Sequence, residues 1–410
     1  MTLRLIAHNT LWLTSAEVVI KLIALVFNFI LVRLISVSNY GDYSLINAFV
    51  AIFSFLPDLG VSLIAIRDLA THPRRYSQLI GQVFIINLAF SCIAFATIMA
   101  LFPVYARSSS HLPLIALAAA TLVITSLRTV AKLGFDASES MHISAIFTVI
   151  NSVFSALGSL VGFILLPGLI GLFLGNLAGA SLSLILEWGI AVKFFRWPSL
   201  SLALSSLFPL IKSGLPLSLA AATALLSSRL DTLILGRWLT SREVGWYVAA
   251  QILVFSAIQL FNVPVMIATY PALTKAQNSK VKFKQLITTL ITFILSWTGL
   301  FMLGTWALAR PVLTLTFGAA YLPAVPALKL LSLLVPFAAL SALLYKLLII
   351  LKREAVYFKI SLVGLAINLT INLILIPRLG IVGAAMSAVI THLSLFLLYG
   401  YHVKLLLRQL

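Results

Sequence analysis

Acidic side chains are scarce in this sequence. Asp and Glu number 10 in 410 residues, and all charged residues together make up 9% of the chain. A soluble globular domain carries about 25%, so that class is excluded. No Asp-x-Asp or similar acidic cluster exists, which argues against a sugar-transferring catalytic centre. Cysteine is almost missing. Cys92 stands alone in an apolar run, so an intramolecular disulfide is excluded and the redox compartment is unreadable. Long polar stretches are missing too. The longest connection, 193–213, is amphipathic and suits the membrane surface, leaving no room for a sizeable extramembrane domain.

Apolar residues are what the chain has in excess: 61% of it, with a mean hydropathy of +1.12. These values exclude disordered, collagen-like and coiled-coil chains. At about 20 residues per crossing they provide for on the order of twelve transmembrane helices. Apolar runs bounded by charge or Pro/Gly fall at 11–35, 43–66, 78–102, 112–133, 142–166, 168–192, 214–236, 246–272, 286–309, 326–350, 355–376 and 380–403. The weakest separation is Pro167-Gly168, between the fifth and sixth. The first run is interrupted by Glu17 and Lys21 and lacks a small-residue cleavage site, so it reads as a span rather than a signal peptide.

The 28 bases give a net charge of +18 and a pI near 10.3. Nucleic acid is the usual partner of so basic a soluble protein, but basic residues also collect in the cytoplasmic loops of membrane proteins. With the N-terminus inside, nineteen bases fall in inner loops and inner span ends and six in outer ones. Lys21, Arg229 and Lys329 remain at membrane depth. The bias predicts cytoplasmic termini, an even number of spans, and no nucleic-acid partner.

Residues 31–43 (LVRLISVSNYGDY) and 235–247 (LGRWLTSREVGWY) align without gaps. Leu31 matches Leu235, Arg33 Arg237, Gly41 Gly245 and Tyr43 Tyr247. A second echo pairs Pro167-Gly168 with Pro377-Arg-Leu-Gly380, at nearly the same offset of half the chain. An offset of six spans keeps both copies in the same membrane direction. That predicts an all-α polytopic protein of two parallel six-helix lobes, 1–205 and 206–410, around a central cavity, a transporter plan.

The motifs point the same way. NYGDYSLINAFVAIFSFLPDLGVSLIAIRDLA (39–70) resembles the second span of the polysaccharide-biosynthesis flippases, the Wzx-type branch of the multidrug/oligosaccharidyl-lipid/polysaccharide (MOP) exporter superfamily. Ser213-Gly-Leu-Pro216, Arg229-Leu-Asp231 and Glu243-Val-Gly245-Trp-Tyr247 resemble its seventh span and the turn beyond. Phe317-Gly318-Ala-Ala-Tyr321 and Asn368…Asn372…Pro377-Arg-Leu-Gly380-Ile-Val-Gly383 resemble later junctions. The resemblance implies a MATE/MOP-like fold. It also implies a flippase carrying a polyprenyl-diphosphate-linked oligosaccharide from the cytoplasmic to the periplasmic leaflet of a prokaryotic inner membrane. Glycan polymerase and glycosyltransferases are the partners implied.

An ionisable residue at mid-bilayer costs roughly 2.5–3.5 kcal/mol on insertion scales and marks a candidate site. Lys21, Arg128, Lys132, Arg229 and Lys329 are the candidate ligands for an anionic head group. Glu17, Asp58 and Asp231 are the candidate coupling acids, for a proton or a sodium ion. Each has a structural alternative. Glu17 and Lys21 share a helix face and can neutralise each other. Arg128 and Lys132 can attract anionic lipid. Asp58, after Pro57, can cap a broken helix. Arg229 and Asp231 are two apart and face differently, toward a cavity or a neighbouring helix. Asn87, Asn151, Asn176, Asn262, Asn368 and Asn372 suit interhelical hydrogen bonds. His142 and His392 lack companions at ligand spacing, so no metal site or resident cofactor is expected. A cation-coupled multidrug antiporter of the same superfamily stays open as an alternative, although the buried bases do not suit a cationic drug. A membrane glycosyltransferase or polymerase is a further alternative, without loops to carry it. The chain reads as a transporter, not an enzyme.

Overall fold

The computed structural model describes residues 3–105, 111–195, 198–199, 204–276 and 279–409. Part of the amphipathic connection 193–213 therefore lies outside the described residues. The described residues form α-helices joined by short turns, with no strand among them. In chain order these are α1 (Leu3–Leu34), α2 (Val37–Ala51), α3 (Val61–Thr71), α4 (Tyr76–Tyr105), α5 (Leu112–Ala137) and α6 (Met141–Leu165). They continue as α7 (Leu169–Phe194), α8 (Leu204–Trp238), α9 (Ser241–Ala276), α10 (Lys280–Thr316), α11 (Val325–Ile350) and α12 (Glu354–Gln409).

Among the described residues nine helices are long and apolar enough to cross a membrane, or ten if Leu207–Thr223 and Leu225–Trp238 form one bent crossing. Twelve is reached only by taking α2 with α3 as one interrupted crossing and the two arms of α12 as two. The interruptions lie where proline and glycine place them. Proline cannot donate to the helical ladder. Around Pro57 the chain leaves the helix between Ala51 and Val61, with Leu59 at φ 44° and Gly60 at φ 73°. Both members of the second echo turn on a glycine with positive φ, a conformation strained for any residue with a Cβ. Gly168 (115°) separates α6 from α7, and Gly380 (59°) joins the two arms of α12.

The chain forms two compact units: Met1–Asn28 with Ile46–Leu225, and Phe29–Leu45 with Leu226–Leu410. These units follow packing, whereas the lobes 1–205 and 206–410 follow the repeat. In lipid the apolar surface gains nothing by leaving the surroundings, so close packing and polar contacts hold helices together. Within the first unit, α6 and α7 cross on glycines spaced four apart, Gly158 and Gly162 against Gly171, Gly175 and Gly179. A Cβ on Gly175 would run into the Gly158 carbonyl. Leucines and isoleucines on the outward faces, such as Ile164 and Leu165 at 73% and 74% exposure, suit contact with acyl chains. A core of Val61, Ala65, Ile80, Val83, Val130 and Leu133 joins α3, α4 and α5. In the second unit, Ile287, Leu290 and Ile294 of α10 pack with Leu343 and Leu347 of α11 and Tyr399 and Val403 of α12.

Candidate functional site

Polar side chains gather at two places, one within each unit. In the second unit the centre is Asp231, buried on α8. Its Oδ1 accepts from Asn372 Nδ2 at 2.6 Å and from Asn368 Nδ2 at 3.2 Å, and its Oδ2 accepts from the Tyr247 hydroxyl at 3.0 Å. Asn368 and Asn372 stand one turn apart on α12, so both amides point the same way. Asn368 Nδ2 also reaches Thr391 Oγ1, at 3.4 Å, on the other arm of α12. The amide oxygens of Asn368 and Asn372 are buried with no hydrogen-bond partner among the described residues. The carboxylate is thus met by two amide N–H groups and one hydroxyl, charge-assisted hydrogen bonds that hold it in the interior. No group of three or more His, Cys, Asp and Glu that could hold a metal ion occurs among the described residues.

Arg229, two residues earlier on α8, is exposed and makes no hydrogen bond or ion pair with a described residue. Residues two apart on a helix point some 200° apart, so the arginine does not neutralise the aspartate. Sequence reasoning reached Asp231, Asn368 and Asn372 separately. It gave Tyr247 no chemical role, although the repeat had marked it. Lys329, half-buried on α11, lies 5.5 Å from the centre of the Trp306 ring on α10 in a cation–π contact. On α10 itself, Lys284, Thr288, Thr292 and Ser296 recur every fourth residue and line an open groove along the helix.

In the first unit, Arg128 on α5 and Glu187 on α7 form a buried ion pair, Nη1 to Oε1 at 2.8 Å. Ser183, one turn before Glu187, donates to the same oxygen at 3.1 Å. Trp188 fixes α7 against α5 through its indole N–H to the Leu127 carbonyl, at 3.1 Å. Lys132 follows one turn after Arg128 and donates to Thr148 Oγ1 of α6 at 3.0 Å. Asp136, Glu187 and Glu17 lie within electrostatic range of Lys132. Two of the candidates, Arg128 and Lys132, are thus brought together around Glu187, and a third, Glu17, lies within electrostatic range of Lys132. Sequence reasoning had not singled out that acid. Its only signal is a carboxylate inside the apolar run 168–192.

On α1, Glu17 is exposed and Lys21 half-buried, and neither makes an ion pair or hydrogen bond with a described residue. Asp58 accepts from the Ser62 amide at 3.2 Å and from the Ser62 hydroxyl, which caps the first turn of α3. Arg67 and Asp68 form an exposed ion pair at 3.0 Å.

This polytopic helical bundle shares its architecture with solved structures of membrane transport proteins. A multidrug resistance MATE family transporter of the MOP superfamily, in an inward-facing conformation, matches with a TM-score of 0.74 at 14% identity, covering 98% of this chain and 95% of that one. The lipid II flippase MurJ, in an inward closed conformation, matches with a TM-score of 0.65 at 15% identity, over 98% and 86%. A mutant of the Vibrio cholerae MATE transporter VcmN matches with a TM-score of 0.65 at 16% identity, over 97% of both chains. At these identities the likeness establishes the fold. No curated protein matches this sequence. Residues 6–277 match the model of the polysaccharide biosynthesis protein family, and the chain belongs to that family. It is a multi-pass membrane protein with the MATE/MOP fold, and family and fold together support a transporter of the MOP superfamily.

Proposed function

We propose that this protein flips a polyprenyl-diphosphate-linked oligosaccharide from the cytoplasmic to the outer leaflet of a prokaryotic inner membrane by alternating access. Its termini are cytoplasmic in this reading, and it performs no bond chemistry. The observation that carries the reading is the inequality between bases and acids at membrane depth. Asp231 and Glu187 are held by neighbouring side chains, whereas Lys21 and Arg229 have no ion-pair partner among the described residues.

An unpaired cation in the bilayer is costly, and an anionic ligand removes that cost. A diphosphate suits an arginine because the guanidinium fork can bind phosphate oxygens in pairs. The hydroxyl stripe on α10 suits the sugar end of such a ligand, since each hydroxyl that donates to its own helix keeps an acceptor lone pair. Asp231 is the coupling acid in this reading. The membrane potential offers about 2.3 kcal/mol per charge per 100 mV to a cation bound there, whether proton or sodium. Glycosyltransferases supply the lipid-linked glycan and a polymerase consumes it.

The test is reconstitution. In proteoliposomes, a fluorescent polyprenyl-diphosphate oligosaccharide becomes accessible to an external quencher only when the protein is present, and Arg229→Ala with Lys21→Ala abolishes the transfer. Efflux of cationic dyes that ignores both substitutions would overturn the reading in favour of a multidrug antiporter.

A further inference from the structure

The ion pair between α5 and α7 is incomplete in an unusual way. A guanidinium facing a carboxylate can form two parallel N–H···O bonds. Arg128 and Glu187 use one. Glu187 Oε1 takes both the Arg128 Nη1 and the Ser183 hydroxyl, while Glu187 Oε2 and Arg128 Nε are buried without a partner among the described residues. Glu187 is fully buried and the Arg128 side chain nearly so. An unmet polar group in the interior is expensive, so a pair left half-used is poised for another partner.

The surroundings define that partner. Besides Arg128, α5 contributes Lys132 one turn along the same face and Asp136 beyond it. From α1 comes Glu17, and α6 contributes Thr148 with Ser144. Against Trp188, the neighbour of Glu187, α4 presents Phe84 and no charge. Around the buried pair there are thus two cations on one helix face and a single buried acid. Glu17 and Asp136 stand at the less buried margin. An incoming oxyanion reaches half-buried Lys132 first and Arg128 next.

Resting on the diphosphate reading above, we infer that Glu187 is an internal counter-ion: a substrate phosphate displaces it from Arg128, and Glu187 takes up one proton as it is released. The contact from Arg128 to Glu187 breaks and a contact from Arg128 to a phosphate oxygen forms. The proton comes from the aqueous phase and ends on Oε2. The carboxylate goes from charge minus one to zero as the phosphate oxygen brings its own charge in. Protonation follows because a buried carboxylate stripped of its counter-ion is far more costly than a neutral acid. The neutral acid keeps the Ser183 hydroxyl as a donor to Oε1 while Oε2 carries the proton.

The test uses the full-length protein in detergent, with farnesyl diphosphate as the probe. Calorimetric titrations at pH 8 in two buffers of different ionisation enthalpy report protons taken up per ligand bound, above the phosphate titration near 6. Wild type takes up about one proton per diphosphate. Glu187→Gln binds more tightly, its competitor gone, and takes up about none. The double variant Arg128→Met with Glu187→Met removes both charges together, which spares the fold an unpaired buried ion. It binds the probe roughly tenfold more weakly or worse. Equal proton uptake in wild type and Glu187→Gln overturns the exchange. So does undiminished binding by the double variant. Failure of the wild type to bind the probe overturns the diphosphate reading itself.

Discussion

Gly41 and Gly245, equivalent positions of the half-length repeat, meet backbone to backbone. A Cβ on Gly41 would stand 3.0 Å from the Gly245 amide nitrogen, and one on Gly245 would stand 3.3 Å from the Gly41 amide nitrogen. Each would also run into a carbonyl of the opposite copy, that of Ser241 or Val37. The two copies therefore pack on each other about an approximate two-fold relation, as a parallel repeat requires. Around them Tyr40 lies edge-on to Tyr321, Phe29 edge-on to Phe317, and Arg33 donates to the Leu315 carbonyl.

The first prediction follows from that contact. A leucine at either position forces backbone apart, and overpacking typically costs 1–3 kcal/mol, or more where backbone must move. Gly41→Leu and Gly245→Leu are each expected to lower the melting temperature of the purified protein. Gly299→Ala, in the middle of α10 with open space around it, leaves it unchanged or raises it. Equal melting of all three would show that the contact does not form in the membrane protein.

A second prediction concerns Asp231, which receives hydrogen bonds from Asn368, Asn372 and Tyr247. Asp231→Ala leaves three buried donors unmet, at roughly 1–3 kcal/mol each, and is expected to yield little folded protein. Asp231→Asn keeps the shape, although it loses the charge and must donate where the aspartate only accepted. It is expected to fold, and to lose any dependence of transport on a proton or sodium gradient in proteoliposomes. Retained gradient dependence would move the coupling site elsewhere.

The third prediction separates packing from charge at Arg128 and Glu187. Removing one member strands a buried ion, at about 3–5 kcal/mol, whereas replacing both with apolar residues of similar size is often close to neutral. Arg128→Met and Glu187→Met are each expected to destabilise strongly. The double variant should melt near wild type. Additive losses in this thermal double-mutant cycle would show that the two side chains do not interact.

Much of this was legible in the sequence because the signals are local. A long apolar run must become a helix in lipid. Pro57 with Gly60, Pro167-Gly168 and Pro377…Gly380 mark the breaks through chemistry that needs no tertiary knowledge. The count of twelve was less secure, since α2 and α3 are individually too short to cross. Asp231 announced itself as a rare charge in an apolar segment, and Asn368 and Asn372 stood among the asparagines suited to interhelical hydrogen bonds. Their convergence on one carboxylate, 137 and 141 residues away, is set by helix packing. Glu187 stayed hidden for the same reason, since its partner Arg128 lies 59 residues distant. The grouping of 29–45 with the second compact unit depends on the backbone approach at Gly41, which a sequence alignment suggests but does not require.

Arg229 offers a clean separation of function from stability. It makes no hydrogen bond or ion pair with a described residue, so Arg229→Ala, which takes an unpaired cation away from membrane depth, should leave the melting temperature unchanged or raise it. If the side chain holds a diphosphate, the same substitution abolishes transfer of a labelled polyprenyl-diphosphate oligosaccharide. Arg229→Lys then keeps the charge but loses the planar fork, and recovers only part of the rate. A structural role predicts the opposite order, with a lowered melting temperature and transfer that falls only as folded protein is lost. Measuring both quantities on the same preparations decides between the two. Wild-type transfer by a stably folded Arg229→Ala protein would remove this arginine from the substrate path.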